Sequence, residues 1–187
     1  SSHPYVAPDT KCRVLLCTYD HGESGWTGRH SLLRSDCPRV AESGICSSNG
    51  SCSSPDGKTF YHTDTLKKTI YAYDLGADGS LANKRVFVTI EDGAGYPDGS
   101  IVDAQGCVWI GLFAGWAARR YAPSGQLLST VRFPCATIPK LAFAESGTVY
   151  ATTARTGLGA KARAEQPLAG RLFRFGSGNP GRRYHGR

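Results

Sequence analysis

Hydrophobic and polar residues follow one another along this chain in short runs, which are separated by turns rich in glycine and proline. Residues 69–74 and 171–175 alternate in side-chain character, and residues 59–64 combine aromatic and β-branched side chains. Runs of this kind predict short β-strands. Further strands are predicted on the same grounds at residues 29–33, 39–41, 85–90, 118–121, 127–133 and 148–153.

Composition favours an all-β chain. The 187 residues include 23 Gly and 10 Pro, a proportion typical of many turns that join short strands rather than of a helical bundle. No apolar stretch reaches the roughly 18 residues that a membrane-spanning helix needs, so no membrane partner is expected. Met is absent and the first residues contain no apolar signal region, which predicts a cut or incomplete beginning.

Seven cysteines are spread irregularly and contain no C-x-x-C pair, which argues against a zinc ribbon or a redox motif. They are expected to be mostly buried thiols in a reducing compartment, and the expected location is therefore the cytoplasm. A disulfide framework is the alternative. The net charge of +7 lies largely in the last part of the chain. No nucleic-acid motif accompanies it, so residues 176–187 are predicted to form a solvated, disordered tail and no nucleic-acid partner is expected.

Turn glycines recur at a regular interval. Gly57 and Gly106 are 49 residues apart, Gly106 and Gly147 are 41 apart, and Thr10 occupies the same register 47 residues before Gly57. A repeat of about 40–50 residues that contains around four strands is typical of β-propeller blades. The chain would then contain about four blades. A β-sandwich built from the same strands is the structural alternative.

The repeat also predicts a functional site. Eight residues before each turn position are Asn49, Asp98, Pro139 and Ser2. Because the first strand of each blade lines the central channel, these positions are expected to form a ring around the axis. Two of them carry side-chain oxygens, which suit a hard divalent cation. The alternative is that Asn-Gly and Pro-Asp-Gly serve only as turns, which they commonly do.

Several motifs resemble the SMP-30/gluconolactonase/LRE-like family. The resemblance is dense from Ser48 to Phe175 and thinner from Pro8 to Glu42. The motifs that carry it include Ser48-Asn49-Gly50, Ser54-Pro55-Asp56-Gly57, Gly95-Tyr96-Pro97-Asp98-Gly99, Val102-Asp103-Ala104-Gln105-Gly106 and Lys140-Leu141-Ala142-Phe143. The resemblance implies an all-β, six-bladed propeller, of which residues 1–175 would form an incomplete ring.

The resemblance further implies metal-dependent hydrolysis of a sugar-acid lactone. Asn49 and Asp98 correspond to metal ligands of the family, the metal being Ca²⁺, Zn²⁺ or Mn²⁺, and Asp98 also corresponds to the general base. Ser2 stands where the family has an asparagine near metal and substrate, so it is a substrate-binding candidate.

Two departures from the family pattern leave a second function open. The family's first-blade glutamate has no counterpart here, and Ser53 stands where family members commonly have tryptophan. The alternative function is a non-catalytic fragment that binds a divalent cation or a partner. A third possibility is an enzyme whose ring is completed by another chain.

Overall fold

The computed structural model describes residues 40–144 and 146–177, and within these ranges the chain folds into eleven β-strands and one short helix. The elements are β1 (Ser48–Ser53), β2 (Thr59–Asp64), β3 (Thr69–Leu75), β4 (Leu81–Thr89), β5 (Tyr96–Val102), β6 (Val108–Phe113), β7 (Ala117–Tyr121), β8 (Leu127–Arg132), β9 (Lys140–Phe143), β10 (Thr148–Thr152), α1 (Ala160–Glu165) and β11 (Phe173–Gly176). The all-β class predicted from the sequence is confirmed.

The strands form three antiparallel sheets, each of which follows the order of the chain. β1 to β4 form the first sheet, β5 to β8 the second, and β9 to β11 the third. Consecutive strands pair because the connections between most of them are tight turns, which can join only antiparallel neighbours. The fourth unit predicted from the repeat depends on residues before Val40, so it lies outside the described residues.

The turn glycines that define the repeat have the same geometry in all three sheets. Gly57, Gly106 and Gly147 have φ angles of 70°, 81° and 81°, which non-glycine residues rarely adopt. Each donates its N–H to the carbonyl of the residue three positions earlier, at 3.0 Å. The sequence repeat is therefore a repeat of structure.

The first strands of the three sheets lie side by side. Gly50 in β1 contacts the carbonyl oxygen of Asp98 in β5, and Gly99 in β5 donates its N–H to the carbonyl of Pro139, at 2.9 Å. Pro139 immediately precedes β9. Adjacent first strands are what neighbouring propeller blades require, so this arrangement favours a propeller over a sandwich.

Two apolar clusters hold the sheets together. The first joins the sheet of β1–β4 to that of β5–β8 and includes Ile70 and Ile110, both of which are fully buried. The second joins the sheets of β5–β8 and β9–β11 around Trp109, whose ring centroid lies 5.7 Å from that of Phe175. Each pair of neighbouring sheets in the described part of the chain is thus packed together through a buried apolar cluster.

Strand positions within the described ranges agree with the prediction, and several boundaries differ. β4 begins at Leu81 rather than residue 85, because Leu75 and Leu81 pair across the Asp78-Gly79 turn. The strand predicted at residues 39–41 is wrong for Val40 and Ala41, which are exposed and belong to no strand. The predicted strands before residue 39 lie outside the described residues.

The connection between β10 and β11 contains a short helix. α1 begins after Gly159 and contains three alanines together with Lys161, Arg163 and Glu165, all of which favour helix. Gln166 follows it and accepts the N–H of Ala136 on its side-chain oxygen, at 2.8 Å. This contact fixes the end of α1 against the loop before β9.

The predicted tail boundary at residue 176 falls inside a strand. Gly176 is the last residue of β11, and Ser177 donates its N–H to the carbonyl of Gly147, at 3.1 Å. Residues 178–187 lie outside the described residues, so the predicted disorder there remains a prediction.

Cysteine burial agrees in part with the expectation of buried thiols. Cys107 and Cys135 are free and buried, and burial raises the pKa of both thiols, whereas Cys46 is exposed. Cys12, Cys17 and Cys37 lie outside the described ranges.

No helix within residues 40–144 and 146–177 combines the length and the apolar character needed to cross a membrane.

Asp103 stabilises the turn between β5 and β6. Its fully buried carboxylate accepts hydrogen bonds from the Cys107 N–H, from Trp109 Nε1 at 3.1 Å and from Arg120 Nε at 2.8 Å. Gln105 donates its N–H to the same carboxylate. A single side chain therefore connects a turn, the core tryptophan and β7.

Replacing Asp103 with alanine is expected to lower the free energy of unfolding by about 3 kcal/mol, because buried donors of Trp109 and Arg120 lose their acceptor. Urea denaturation measures the change. Asp56→Ala is the matched control, since Asp56 lies in the corresponding turn of the first sheet but is exposed. Equal losses in the two variants would show that the buried network does not contribute.

Gly50→Ala tests the close approach of β1 and β5. A Cβ on Gly50 would collide with the Asp98 carbonyl and would lie 2.6 Å from Thr63 Oγ1 and 2.8 Å from Ser100 Oγ. With φ at 51° as well, the variant is expected to lose more than about 2 kcal/mol. Gly57→Ala is the control, because its φ is also positive but nothing lies within 4 Å of the added Cβ. A loss no larger than that of the control would contradict the close approach.

Candidate functional site

The structure brings Asn49 and Asp98 into direct contact. Asn49 lies near the start of β1 and Asp98 near the start of β5, and the Asn49 Nδ2 donates a hydrogen bond to Asp98 Oδ1. Both residues are half-buried. Side chains 49 residues apart in the chain are therefore neighbours, as the eight-residue count predicted.

Irregular strand pairing places these two side chains. The register of β1 shifts between Asn49 and Cys52, and that of β5 shifts between Pro97 and Ser100. Such bulges occur often beside active sites, because the extra residue turns a side chain away from the regular pleat. Gly50 and Gly99 directly follow the two site residues. Because it has no Cβ, Gly50 leaves room for β5, and Gly99 in the same way leaves room for the chain at Pro139 and Lys140.

Partial burial and two neighbouring residues act on the pKa of Asp98. Burial raises the pKa of its carboxyl group above the ordinary value, while the hydrogen bond from Asn49 and the positive charge of Lys140 act in the opposite direction. Lys140 is exposed and begins β9, so a cationic side chain lies beside the Asn49–Asp98 pair. An additional positive charge next to this half-buried carboxylate would stabilise its ionised form.

The pair suits a hard cation in chemistry. Asp98 supplies a carboxylate. The Asn49 side-chain oxygen accepts the Gly50 N–H at 2.8 Å, and rotation of the amide would exchange that bond for contact with a cation, so both residues can offer oxygen. Calcium takes six to eight oxygens. Within residues 40–144 and 146–177 no three or more His, Cys, Asp or Glu side chains converge, so further ligands would come from water or from elsewhere.

The other two ring positions contribute differently. Pro139 lies next to β5 as predicted, but it offers only a backbone carbonyl, which already accepts the Gly99 N–H. Ser2, the substrate-binding candidate, lies outside the described residues. Three of the four positions are therefore adjacent in space, and two of them bring side-chain oxygens.

His62 is a buried histidine that packs within the first sheet. Its Nε2 lies 3.2 Å from Ser48 Oγ and its Nδ1 lies 2.9 Å from Ser51 Oγ, so both ring nitrogens are hydrogen-bonded within the first sheet. Burial lowers the pKa of His62, and the negative charges of Glu42 and Asp64 partly offset this effect. The side chain supports β1 and leaves neither nitrogen available to a ligand.

Sequence reasoning did not identify several side chains close to the pair. Lys140 directly follows a ring position, so extending the register by one residue would have found it. Tyr96 lies two residues before Asp98 and pairs with Phe113 across β5 and β6, and both side chains are partly exposed. Lys68 Nζ lies 4.9 Å from the centroid of the Tyr96 ring. These contacts depend on how the strands pack, which the strand pattern does not show.

Comparison with known proteins bears on the function of this site. The family model described as the SMP-30/gluconolactonase/LRE-like region matches residues 11–155. L-arabinolactonase of Azospirillum brasilense is 39% identical over 120 residues, which are 64% of this chain and 40% of that protein. The 6-deoxy-6-sulfogluconolactonase of Pseudomonas putida is 33% identical over 148 residues, which are 76% of this chain and 51% of that protein.

A solved structure shows the same relationship. The calcium-binding protein regucalcin of Agrobacterium tumefaciens superposes with a TM-score of 0.65 and 28% identity, covering 73% of this chain and 49% of that one. The chain thus spans about half of the length of the proteins it matches. Since the family model covers most of its residues, the chain belongs to the SMP-30/gluconolactonase/LRE-like family.

Proposed function

We propose that this chain carries the core of a cation-dependent lactonase site that hydrolyses a sugar-acid lactone. The contact between Asn49 and Asp98 on adjacent first strands is the observation that carries the proposal. Two similar proteins are named as sugar lactonases, and a similar structure is described as calcium-binding. These names support a sugar lactone as substrate and a divalent cation as cofactor.

In this proposal Asn49 and Asp98 hold a divalent cation, with Ca²⁺, Zn²⁺ and Mn²⁺ as the candidates. A cation bound there would polarise the lactone carbonyl and offset the negative charge that develops on it. Asp98 accepts a proton from the attacking water on its carboxylate, as a general base. Before the cation binds, the hydrogen bond from Asn49 holds that carboxylate in position, and partial burial limits its contact with bulk water.

The surroundings of the pair fit a small polar ring compound. Phe113, which is partly exposed and pairs with Tyr96 in β5, would offer apolar contact to the carbon atoms of a sugar ring. Ser2 keeps its proposed role in substrate binding.

The proposed architecture is a six-bladed propeller in which residues 1–175 form about four blades. The three described sheets are three of these blades. The remaining blades would be supplied by residues outside the described ranges or by another chain.

One observation favours a second candidate function. The described residues bring two oxygen-bearing side chains together, which is fewer than a calcium ion takes in a complete protein site. A chain that binds a cation weakly, without hydrolysing a lactone, would fit the same geometry. This second candidate is a non-catalytic cation-binding or interaction module.

Calorimetric titration with Ca²⁺, Zn²⁺ and Mn²⁺ tests the ligand pair. The Asp98→Asn variant is expected to weaken binding of the preferred cation by tenfold or more, on the order of the loss seen when a supporting ligand group is removed. Asp92→Asn is the matched control, because Asp92 is an exposed carboxylate that pairs with Lys68. Equal binding heats in the wild type and both variants would contradict the cation site.

A pH-stat assay on gluconolactone separates the two candidate functions. The lactonase proposal predicts hydrolysis above the spontaneous rate, loss of that rate with EDTA and its recovery when the cation is restored. Asp98→Asn is expected to lower kcat by about 100-fold or more, because a general base contributes that much. Cation binding without hydrolysis above the spontaneous rate would favour the non-catalytic module.

A further inference from the structure

Two buried hydroxyl groups lie close behind the Asn49–Asp98 pair. Thr63 is fully buried and Ser100 is 1% exposed, and neither side-chain oxygen has a hydrogen-bond partner within residues 40–144 and 146–177. Thr63 is the cross-strand partner of Asn49, and Ser100 lies two residues after Asp98. Each hydroxyl is therefore next to one member of the pair.

The two oxygens approach the same point. A Cβ on Gly50 would lie 2.6 Å from Thr63 Oγ1 and 2.8 Å from Ser100 Oγ, and it would also contact the Asp98 carbonyl oxygen. The two hydroxyl oxygens are thus no more than about 5.4 Å apart, the sum of these distances, which one water can span with hydrogen bonds of about 2.8 Å. Because Gly50 has no side chain, no Cβ lies between the hydroxyls of Thr63 and Ser100.

A backbone carbonyl, that of Asp98 in the bulge of β5, also lies near the two hydroxyls. Asp98 lies within the bulge of β5, where the ladder to β6 is interrupted between Pro97 and Ser100. Its carbonyl oxygen faces Gly50 in the neighbouring sheet. A water beyond contact distance of the Gly50 Cα and within hydrogen-bond distance of these groups would have three oxygen partners, which is the usual number for a buried water.

The chemistry of the partners favours water over a second cation. All three oxygens are uncharged, and a divalent cation would need carboxylates to offset its loss of hydration. Leaving two buried hydroxyls without partners would instead cost free energy for each of them.

We propose that Thr63, Ser100 and the Asp98 carbonyl bind a buried water molecule that joins β2 and β5, and that Thr63 and Ser100 thereby act as positioning residues for Asn49 and Asp98. The water site rests on the hydroxyl geometry alone. Its effect on cation affinity rests on the proposed function.

Thr63→Val and Thr63→Ser form the central comparison. Valine replaces the hydroxyl with a methyl group of the same shape, whereas serine keeps the hydroxyl. Thr65→Val is the matched control, because Thr65 also has a buried hydroxyl with no partner in the described part of the chain, yet it lies beyond the end of β2 and is not among the three atoms nearest the Gly50 position. Ser100→Ala tests the second hydroxyl.

The urea midpoint of Thr63→Val is expected to fall if the hydroxyl binds water and to rise if the hydroxyl has no partner. If the hydroxyl binds water, Thr63→Val lowers the urea midpoint, Thr63→Ser preserves most of it, and Thr65→Val does not lower it. A hydroxyl that is buried without any partner is unfavourable, so its removal would raise the midpoint. A higher midpoint in Thr63→Val would overturn the proposal.

A high-resolution crystal structure of the wild-type chain tests the water directly. We expect one ordered water within hydrogen-bond distance of Thr63 Oγ1, Ser100 Oγ and the Asp98 carbonyl oxygen, and its loss in Thr63→Val. A direct hydrogen bond between the two hydroxyls, with no water, would overturn the proposal.

The positioning role is tested by NMR hydrogen exchange of the Asn49 side-chain amide, which needs no cation. Exchange is expected to become about tenfold faster in Thr63→Val and Ser100→Ala, with Thr63→Ser close to the wild type, and cation affinity is expected to weaken by a similar factor. Unchanged exchange in both variants would overturn the positioning role. A third outcome is a wild type that contains the ordered water and shows faster Asn49 exchange in Thr63→Val, yet binds no cation. That result would support this proposal and contradict the proposed function.

Discussion

The close approach of β1 to β5 is the contact on which the candidate site depends. At Gly50 the backbone of one sheet meets the Asp98 carbonyl of the next, at a distance that admits no side chain. The same approach brings the Asn49 amide to the Asp98 carboxylate. Burial of the apolar cluster between the first two sheets stabilises their packing. Glycine at position 50 permits the short distance between β1 and β5 that this packing requires. Packing and site geometry are therefore set by the same contact.

Charge and burial act on this contact in opposite ways. Partial burial disfavours the ionised form of Asp98, and the Asn49 amide and the Lys140 charge favour it. Asp103, a few residues further along the chain, shows the contrasting case of a carboxylate that is fully surrounded by donors. Asp103 has no remaining capacity for a ligand, whereas Asp98 accepts few hydrogen bonds and faces the neighbouring strand. This difference explains why two aspartates in one region suit different roles.

The repeat of turn glycines made much of this arrangement predictable from the sequence. Gly57, Gly106 and Gly147 fixed the register, and the register placed Asn49, Asp98 and Pro139 near the starts of adjacent first strands, where they are found. Strand positions followed from patterning where a strand buries one face or both, as β2, β3 and β6 do. The register could not supply the bulges in β1 and β5, because a bulge depends on contacts with the partner strand. The buried hydroxyls of Thr63 and Ser100 were missed for the same reason. Helix α1 was missed because it is one short run of strong helix formers within a segment that otherwise contains several glycines.

The order of strands within the sheets has a consequence for folding. Each sheet is assembled from hairpins whose strands are neighbours in the chain, so each closes only short loops. Asn49 and Asp98 come from different sheets and meet only when those sheets dock. Docking closes a loop of 49 residues, which is entropically more costly than any hairpin in either sheet. The ligand pair is thus completed late in folding, and an intermediate with formed but undocked sheets would have native strands and no site. In such a chain, affinity for a ligand reports the docking of sheets rather than the presence of strands.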